Sequence, residues 1–252
     1  MTRLVILPDI HCPNHDIQSI HPILQFIKFY KPHYLIQLGD FCDWDSVSTY
    51  DPHRESDIQP IDKEIDSSNY LLDDIDRVTP KSCIKVMIGG NHEDRYEKFR
   101  IKEGMLIGIR RMKDMSTWQE EYNLYKRNWK VVEYGGHYQV GKIIATHGWY
   151  ASSGAAKQMA ECFPGRNVIF GHTHQHLVYG ALDERNLPIE SESIGTLSRF
   201  DLSYLRGKPA KNWVHAFMYI DMKADGTFSK HFVHVISGGF IEYGKEFKYS
   251  SI

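Results

Sequence analysis

The segment VIFGHTHQHL, residues 168–177, joins an apolar run to three histidines, His172, His174 and His176. A single histidine beside an apolar strand is most often a satisfied core residue. Because a β-strand points residues i and i+2 to the same side, alternation predicts that His172 and His174 reach one point, with His176 on the same side. Whether a site forms there depends on what the rest of the chain brings to the end of this strand.

The composition is that of an ordinary globular protein. The chain has 252 residues, 42% of them hydrophobic and 25% charged, and a formal net charge of −2. This charge gives no overall basic field for nucleic acid, and no apolar run is long enough to span a bilayer. The N-terminus lacks a signal-peptide pattern and the four cysteines form no CxxC pair. We therefore expect a cytoplasmic protein with no membrane contact and with free thiols.

Strand and helix patterns alternate along the first part of the chain. Short apolar runs predict strands, and apolar residues at 3.6-residue spacing predict helices. The strands are predicted at residues 4–8, 34–38 and 83–89, and the helices at residues 16–31 and 61–78. This alternation favours a parallel sheet covered on both faces. Strand patterns dominate the second half, with a hairpin predicted around Asp225 and Gly226.

These patterns together predict an α/β fold, a four-layer αββα sandwich of two mixed sheets flanked by helices. No linker-like stretch divides the chain, so residues 1–252 are expected to form one domain. From Glu93 to about Lys130 the chain becomes charged and helical in pattern. We interpret residues 95–130 as a helical cap or insertion that follows the third strand.

Side chains that bind metals follow five of the predicted strands. In chain order they are Asp9 and His11, then Asp40, then Asn91 and His92, then His147, and finally His172 and His174. The carboxyl ends of strands meet at the ligand crevice of an open α/β sheet, so these side chains are expected to converge. Carboxylate, amide and imidazole groups without thiolate suit Mn, Fe, Zn, Ni or Mg. Even without His92, the seven remaining ligands are too many for one ion and suit two ions that share a carboxylate, which we expect to be Asp40.

Five motifs resemble, in order, those of the calcineurin-like metallophosphoesterases. They are DIH (9–11), GDFCD (39–43), GNHE (90–93), the histidine of ATHG (145–148) and GHTH (171–174). Each motif alone is weak, but five in order, each after an apolar strand, are specific. The resemblance covers roughly residues 4–180 and is to the compact, stand-alone phosphoesterases of bacteria and phages.

The resemblance implies a dinuclear centre and a role for each motif residue. One ion would be held by Asp9, His11, Asp40 and His174, and the other by Asp40, Asn91, His147 and His172. A hydroxide bridging the ions would attack phosphorus, while His92 would protonate the leaving group and Asp43 would orient His92. Of the divalent metals that suit these ligands, manganese is the first expectation.

The motifs leave the substrate open. The arginines that clamp phosphate in serine/threonine protein phosphatases are missing next to Asp43 and Asn91, and Arg95 is a candidate substitute. His15 and His176 are further candidate substrate contacts.

Basic and aromatic residues alternate between residues 95 and 130, which favours a nucleotide or a short nucleic acid as substrate. Such a substrate would meet Arg95 first and then Arg110 and Arg111. The alternative for this segment is a solvated helical cap with a buried aromatic stripe.

We therefore expect a dinuclear-metal-dependent phosphoester hydrolase that acts on a nucleotide or nucleic-acid phosphoester. A protein or small-molecule phosphomonoesterase and a non-catalytic metal-binding scaffold are the alternatives. The sequence does not decide between monoester and diester substrates, nor does it give the oligomeric state.

Overall fold

The structure is a computed structural model of the chain, and it describes residues 1–48, 60–107, 115–202, 205 and 209–250. For residues 104–107 it describes the backbone alone. Arg110 and Arg111, which the sequence suggested as substrate contacts, lie outside the described residues.

The elements follow the predicted alternation of strands and helices. The strands are β1 (Thr2–Leu7), β2 (Tyr34–Gln37), β3 (Ile84–Ile88), β4 (Trp129–Val132), β5 (His137–Val140), β6 (Ile143–Thr146), β7 (Asn167–Phe170), β8 (His176–Leu182), β9 (Pro188–Ile194), β10 (Ala216–Met222), β11 (Phe228–His234), β12 (Gly239–Glu242) and β13 (Lys245–Lys248). The helices are α1 (Ile17–Tyr30), α2 (Ile61–Val78), α3 (Asn91–Ile107), α4 (Trp118–Glu121) and α5 (Ala155–Cys162), with a short 3-10 helix at Asp45–Val47.

Two large sheets form the centre of the fold. The first has the order β11-β10-β1-β2-β3-β4, and the second has the order β5-β6-β7-β9-β8. In the first sheet β1 to β4 are parallel, while β10 and β11 run antiparallel and form the predicted hairpin. In the second sheet β6, β7 and β9 are parallel, with antiparallel strands at both edges. Both sheets are therefore mixed, as predicted.

The buried side chains confirm four layers. Strand β1 is apolar on both faces, so that Leu4 and Ile6 pack against the second sheet while Val5 and Leu7 pack against the outer helices. Helices α1 and α2 cover the first sheet, and α5 covers the second. A sheet buried on both faces needs such continuous apolar strands, which explains why the alternating pattern is lost in the sequence.

Helix α1 begins directly after Asp16, which caps its first turn. The Asp16 carboxylate accepts hydrogen bonds from the backbone N–H groups of Gln18 and Ser19, at 3.3 and 3.1 Å. These bonds satisfy donors that the first helical turn leaves free. The cap also fixes the end of the loop that carries His11, because only four residues separate the two.

The segment predicted as a helical cap or insertion is the crossover that parallel strands require, and it joins β3 to β4. Its first helix, α3, begins at Asn91, earlier than residue 95, and residues 129–130 already belong to β4. Tyr96, Trp118 and Tyr122 are buried in the core. These three residues thus form the buried stripe of the alternative interpretation, and the prediction that they offer stacking surfaces to a substrate is wrong, whereas Tyr125 is 64% exposed.

Within the part of the chain that the structure describes, no helix is both long and apolar enough to cross a membrane.

Candidate metal centre

The predicted ligands lie just beyond the carboxyl ends of their strands. Asp9, Asp40 and Asn91 follow β1, β2 and β3 of the first sheet, while His147 and His172 follow β6 and β7 of the second. Because the two sheets pack face to face, these ends open onto the same crevice. The structure therefore brings together side chains that are up to 165 residues apart in sequence, Asp9 and His174.

The first group consists of Asp9, His11 and His174, whose ligand atoms all lie within 4.8 Å of one another. The Nε2 atom of His174 lies 3.2 Å from Oδ2 of Asp9 and 2.9 Å from Nε2 of His11. Asp9 is fully buried, and its Oδ1 has no hydrogen-bond partner among the described residues. A buried carboxylate oxygen without a donor is costly unless a cation completes it.

The second group consists of Asp40, His147 and His172, again within 4.8 Å. The Nδ1 atom of His147 donates to the carbonyl oxygen of Leu38 at 3.0 Å, so the neutral ring has its lone pair on Nε2. That atom faces Oδ1 of Asn91 at 2.9 Å and Oδ2 of Asp40 at 3.4 Å. Three acceptor atoms therefore converge, which is the arrangement that a cation satisfies.

Asp40 lies between the two groups. Its Oδ2 is 3.4 Å from Nε2 of His147 in the second group and 4.0 Å from Nε2 of His11 in the first. Its Oδ1 accepts a hydrogen bond from the backbone N–H of His92 at 2.9 Å, which orients the carboxylate. The Oδ2 atom of Asp40 is therefore close to ligand atoms of both groups.

The GHTH loop corrects the strand-alternation argument. His172 and His174 follow β7 in a loop with φ angles of 66° and 58°, so neither belongs to a strand. The two left-handed residues direct their side chains to different groups, His172 to the second and His174 to the first. His176 begins β8 and turns elsewhere: its Nε2 lies 2.9 Å from Glu192, and its ring stacks on Phe232. The structure does not bring His176 to either group.

Two motif glycines allow the carboxylates their positions. A Cβ atom added to Gly90 would collide with Asp40, and one added to Gly171 would collide with Asp9. Both glycines belong to the motifs themselves, in GNHE and GHTH. Any larger residue would push a carboxylate out of its group.

The carboxylates create a strong negative field in the crevice. Burial opposes protonation of His11, but the charge and the hydrogen bond of Asp43 outweigh it and raise the pKa of His11 to about 9. Burial likewise opposes protonation of His147, but Asp40 outweighs it and raises the pKa of His147 to about 9. The crevice thus attracts positive charge, which protons supply in the absence of a metal.

Asp43 contacts both neighbouring histidines, His11 through its carboxylate and His92 through its backbone. Its carboxylate accepts from Nδ1 of His11 at 2.7 Å and from the Asn14 amide at 2.6 Å. The backbone carbonyl of Asp43, and not the carboxylate, accepts from Nδ1 of His92 at 2.6 Å. The Asp43 side chain therefore orients His11. The atoms of His11, Asp43 and His92 also lie within 4.8 Å of one another, but these hydrogen bonds already pair them.

His92 and Arg95 lie together at the edge of the crevice. Because Nδ1 of His92 donates to a carbonyl, its Nε2 faces the crevice, 3.8 Å from Oδ2 of Asp40. Burial lowers the pKa of His92 to about 4, so the ring is neutral near pH 7. Arg95 donates to the Asp43 carbonyl at 2.9 Å and lies 3.4 Å from Nε2 of His92.

His15 lies farther along the loop that carries His11. It pairs with Ser198 in an isolated β-bridge and lines a pocket of about 450 Å³ with Lys63 and Tyr70. No contact between His15 and the two groups is observed among the described residues, so its role as a substrate contact stays a prediction.

Glu93 is a site residue that the sequence reasoning quoted but did not assign. Its fully buried carboxylate accepts from the backbone N–H groups of Gly90 at 2.8 Å, Asp40 at 2.9 Å and Phe41 at 3.0 Å. The Tyr122 hydroxyl donates to it at 3.1 Å. Glu93 therefore ties the GDFCD loop to the GNHE loop. Its place as the last residue of GNHE was the available signal.

The donor set fits divalent cations. Both groups combine carboxylate oxygen with imidazole nitrogen, and neither contains a thiol. The partnerless Asp9 oxygen and the converging acceptors around His147 are the features that a bound cation would complete.

Comparison with known proteins places the chain in a family. Residues 2–176 match the family described as calcineurin-like phosphoesterase. No curated protein matches the chain. Similar solved structures include zinc-bound Vps29 from Entamoeba histolytica, with 12% identity and a TM-score of 0.41 over 92% of this chain and 99% of that one. Vps29 from Chaetomium thermophilum has 9% identity and a TM-score of 0.45 over 92% of this chain and 97% of that one.

A bacterial enzyme is also among the similar structures. Yfce, a phosphoesterase from E. coli, has 14% identity and a TM-score of 0.42, over 91% of this chain and 98% of that one. The family match covers more than two thirds of the chain and includes all seven predicted metal ligands. The protein therefore belongs to the calcineurin-like phosphoesterase family.

Proposed function

We propose that this protein is a phosphoester hydrolase that depends on two divalent cations. One cation would be held by Asp9, His11, Asp40 and His174, and the other by Asp40, Asn91, His147 and His172. Manganese is the first candidate, and Fe, Zn, Ni and Mg also suit these donors.

The position of Asp40 carries the proposal. One carboxylate oxygen lies within 3.4 Å of the second group and 4.0 Å of the first, and bridging two cations is the simplest use of such an atom. A scaffold that binds a single structural ion would need only one of the two groups. It would also not need His92, which faces the crevice without belonging to either predicted ligand set.

The residues of the chain have separate tasks in this proposal. When bound, divalent cations supply a nucleophile from water at neutral pH and offset the negative charge of a phosphoryl group. Asp43 holds His11 in the tautomer that leaves Nε2 free to bind. His92 is the proton carrier on the leaving-group side. Its pKa of about 4 describes the free site, and we expect an arriving phosphate anion to raise it.

Within this class we propose a nucleotide or a short nucleic acid as the substrate. The support is the excess of basic residues between residues 95 and 130. It begins with Arg95, whose guanidinium lies beside Nε2 of His92 and supplies positive charge for a phosphate. The buried rings of Tyr96, Trp118 and Tyr122 lend no support. A protein or small-molecule phosphomonoesterase is the alternative that the test must separate.

The test is turnover by purified protein that has been stripped with EDTA and reloaded with each metal. We expect two equivalents of metal per chain and metal-dependent hydrolysis of p-nitrophenyl phosphate, bis-p-nitrophenyl phosphate or a nucleotide. The relative rates separate monoesterase from diesterase activity, and a phosphopeptide tests the phosphatase alternative. Tight metal binding without hydrolysis of any of these esters would contradict the proposal and favour a scaffold.

A further inference from the structure

An aromatic surface lies beside the first metal-ligand group, outside the five motifs. Trp213 packs edge-on against the His174 ring, with 4.2 Å between ring centroids. Phe200 lies 6.1 Å from Trp213, contacts the tilted His215 ring at 4.0 Å between centroids and is 39% exposed. We call Phe200 and Trp213 the aromatic wall.

The backbone fixes the aromatic wall to the loops that carry Asp9 and His174. On one side, Leu197 N–H donates to the Asp9 carbonyl at 2.7 Å and Arg199 N–H donates to the Asn14 carbonyl at 2.9 Å. On the other side, Val214 N–H donates to the His174 carbonyl at 3.1 Å. The wall therefore has a fixed position relative to the predicted ligands, as a preorganised binding surface requires.

Arg199, which precedes Phe200 in the chain, adds positive charge near the loop that carries His11. Its guanidinium donates to the Asn14 side chain at 3.3 Å, and the Asn14 amide donates to Asp43 at 2.6 Å. The guanidinium is also 3.4 Å from Asp201, and half of the side chain is exposed. An exposed ring beside an exposed arginine is typical of surfaces that bind an aromatic group carrying negative charge.

The family match ends at residue 176, before either residue of the aromatic wall. The wall therefore lies outside the residues that match the family. A surface that touches a predicted metal ligand yet lies outside the shared motifs is well placed to select the substrate.

We propose that the aromatic wall binds the planar aromatic part of the organic group esterified to the phosphate, with Phe200 as a specificity-determining residue. The inference rests on the proposed hydrolase function, and it names aryl or nucleobase-bearing phosphoesters as the substrate class. An ester with a small alkyl group would not stack on these rings and would gain no binding free energy from them.

The test compares two ligands that cannot be hydrolysed, phenylphosphonate and methylphosphonate. They differ only in the group on phosphorus, which is a phenyl ring in one and a methyl group in the other. Their binding to metal-loaded protein is measured by calorimetry, and their inhibition of p-nitrophenyl ester hydrolysis is measured in parallel. We expect wild-type protein to bind phenylphosphonate more tightly. Phe200→Ala should reduce this preference by about 3- to 10-fold, the range typical of one aromatic contact.

Two variants serve as controls. Phe200→Tyr keeps the ring and should keep the preference. Phe29→Ala removes a phenylalanine of similar exposure, 44%, which packs against Tyr243 and Phe247 on the face of α1 away from the crevice, and it should change nothing.

The outcomes separate this inference from the proposed function. If wild-type protein hydrolyses phosphoesters but Phe200→Ala keeps the full preference for phenylphosphonate, the aromatic wall is not a substrate site and the hydrolase proposal stands. If metal-loaded wild-type protein hydrolyses no phosphoester and binds neither phosphonate, both are wrong.

Discussion

The strand-end loops and the β3–β4 connection differ in how many charged side chains they bury. The strand-end loops bury charged side chains, such as Asp9 and Asp40, beside apolar ones such as Phe41. The connection buries aromatic side chains, such as Trp118 and Tyr122. Burying rings stabilises a fold, whereas burying several carboxylates and imidazoles costs stability unless partners complete them. The difference indicates that the strand-end loops are kept for chemistry and the connection for packing.

The comparison predicts that changes at the strand ends reduce activity and leave the fold intact. The sharpest case is His92, which faces the crevice without belonging to a predicted ligand set. His92→Ala should lower kcat by about 10²–10⁴ for a substrate with a poor leaving group, and less for p-nitrophenyl esters, which need little proton donation. Metal content and Tm should stay near wild type. Loss of bound metal in this variant would instead make His92 a ligand.

For the β3–β4 connection the same comparison predicts that changes reduce stability and leave the metal site intact. Trp118→Ala should lower the free energy of unfolding by about 3–5 kcal/mol, because a fully buried ring is replaced by a cavity. The matched control is Tyr125→Ala, since Tyr125 is 64% exposed and should change stability by no more than about 0.5 kcal/mol. Denaturant unfolding measures both. A strong rise in KM with unchanged stability in Trp118→Ala would show that the connection binds substrate after all.

Glu93 joins the two regions, because its carboxylate receives both the Asp40 N–H and the Tyr122 hydroxyl. Glu93→Gln replaces one acceptor oxygen with an NH₂ group that faces backbone donors. We expect metal affinity to fall by about 10- to 100-fold, as is usual when a residue that orients ligands is changed.

The matched control for Glu93 is Glu64. It is also a buried glutamate that accepts backbone N–H groups, from Asp45 and Ser46, but it has no contact with the GNHE loop among the described residues. Glu64→Gln should cost stability and leave metal affinity unchanged when measured by calorimetric titration. Equal losses of metal affinity in both variants would show that Glu93 supports the fold in general and does not specifically position the metal ligands.

A smaller effect is expected from pH. The folded pKa values of His11 and His147 are about 9, above the value of about 6.5 for an unfolded histidine. Their protonation therefore stabilises the metal-free fold fully below pH 6.5, and this contribution is lost as pH rises to 9. The Tm of EDTA-treated protein should fall between pH 7 and 9. Metal-loaded protein should lose less over this interval, because the cation replaces the protons. A flat profile for the metal-free protein would contradict the negative field inferred for the crevice.

Sequence patterns located the ligands because strand ends are defined by the chain itself. Asp40 and His147 each follow a short apolar run, and the parallel arrangement of those runs determines where they meet. The prediction that His176 lies on the same side as His172 and His174 was wrong because it assumed an extended chain. His172 and His174 instead have left-handed backbone conformations. The pairing of the Asp43 carboxylate with His11 could not be predicted either. The sequence does not show whether the carboxylate or the backbone carbonyl of a residue accepts a given hydrogen bond.

The other failures come from tertiary packing. Alternating basic and aromatic residues look the same in sequence whether the rings are exposed or, like Tyr122, fully buried. The aromatic wall left no local pattern, since Phe200 and Trp213 are 13 residues apart and meet through a contact between their rings, while an isolated bridge between Thr196 and His215 joins the two segments. Such sites are formed by long-range contacts that periodicity does not report.

The central claim is that two cations share Asp40. Crystals grown with Mn²⁺ and measured at the manganese absorption edge test it directly, because anomalous scattering locates each ion. We predict two peaks about 3.5–4 Å apart, with Asp9, His11 and His174 around one, Asn91, His147 and His172 around the other, and the Asp40 carboxylate in contact with both. A single peak, or two peaks with Asp40 bound to only one of them, would contradict the account.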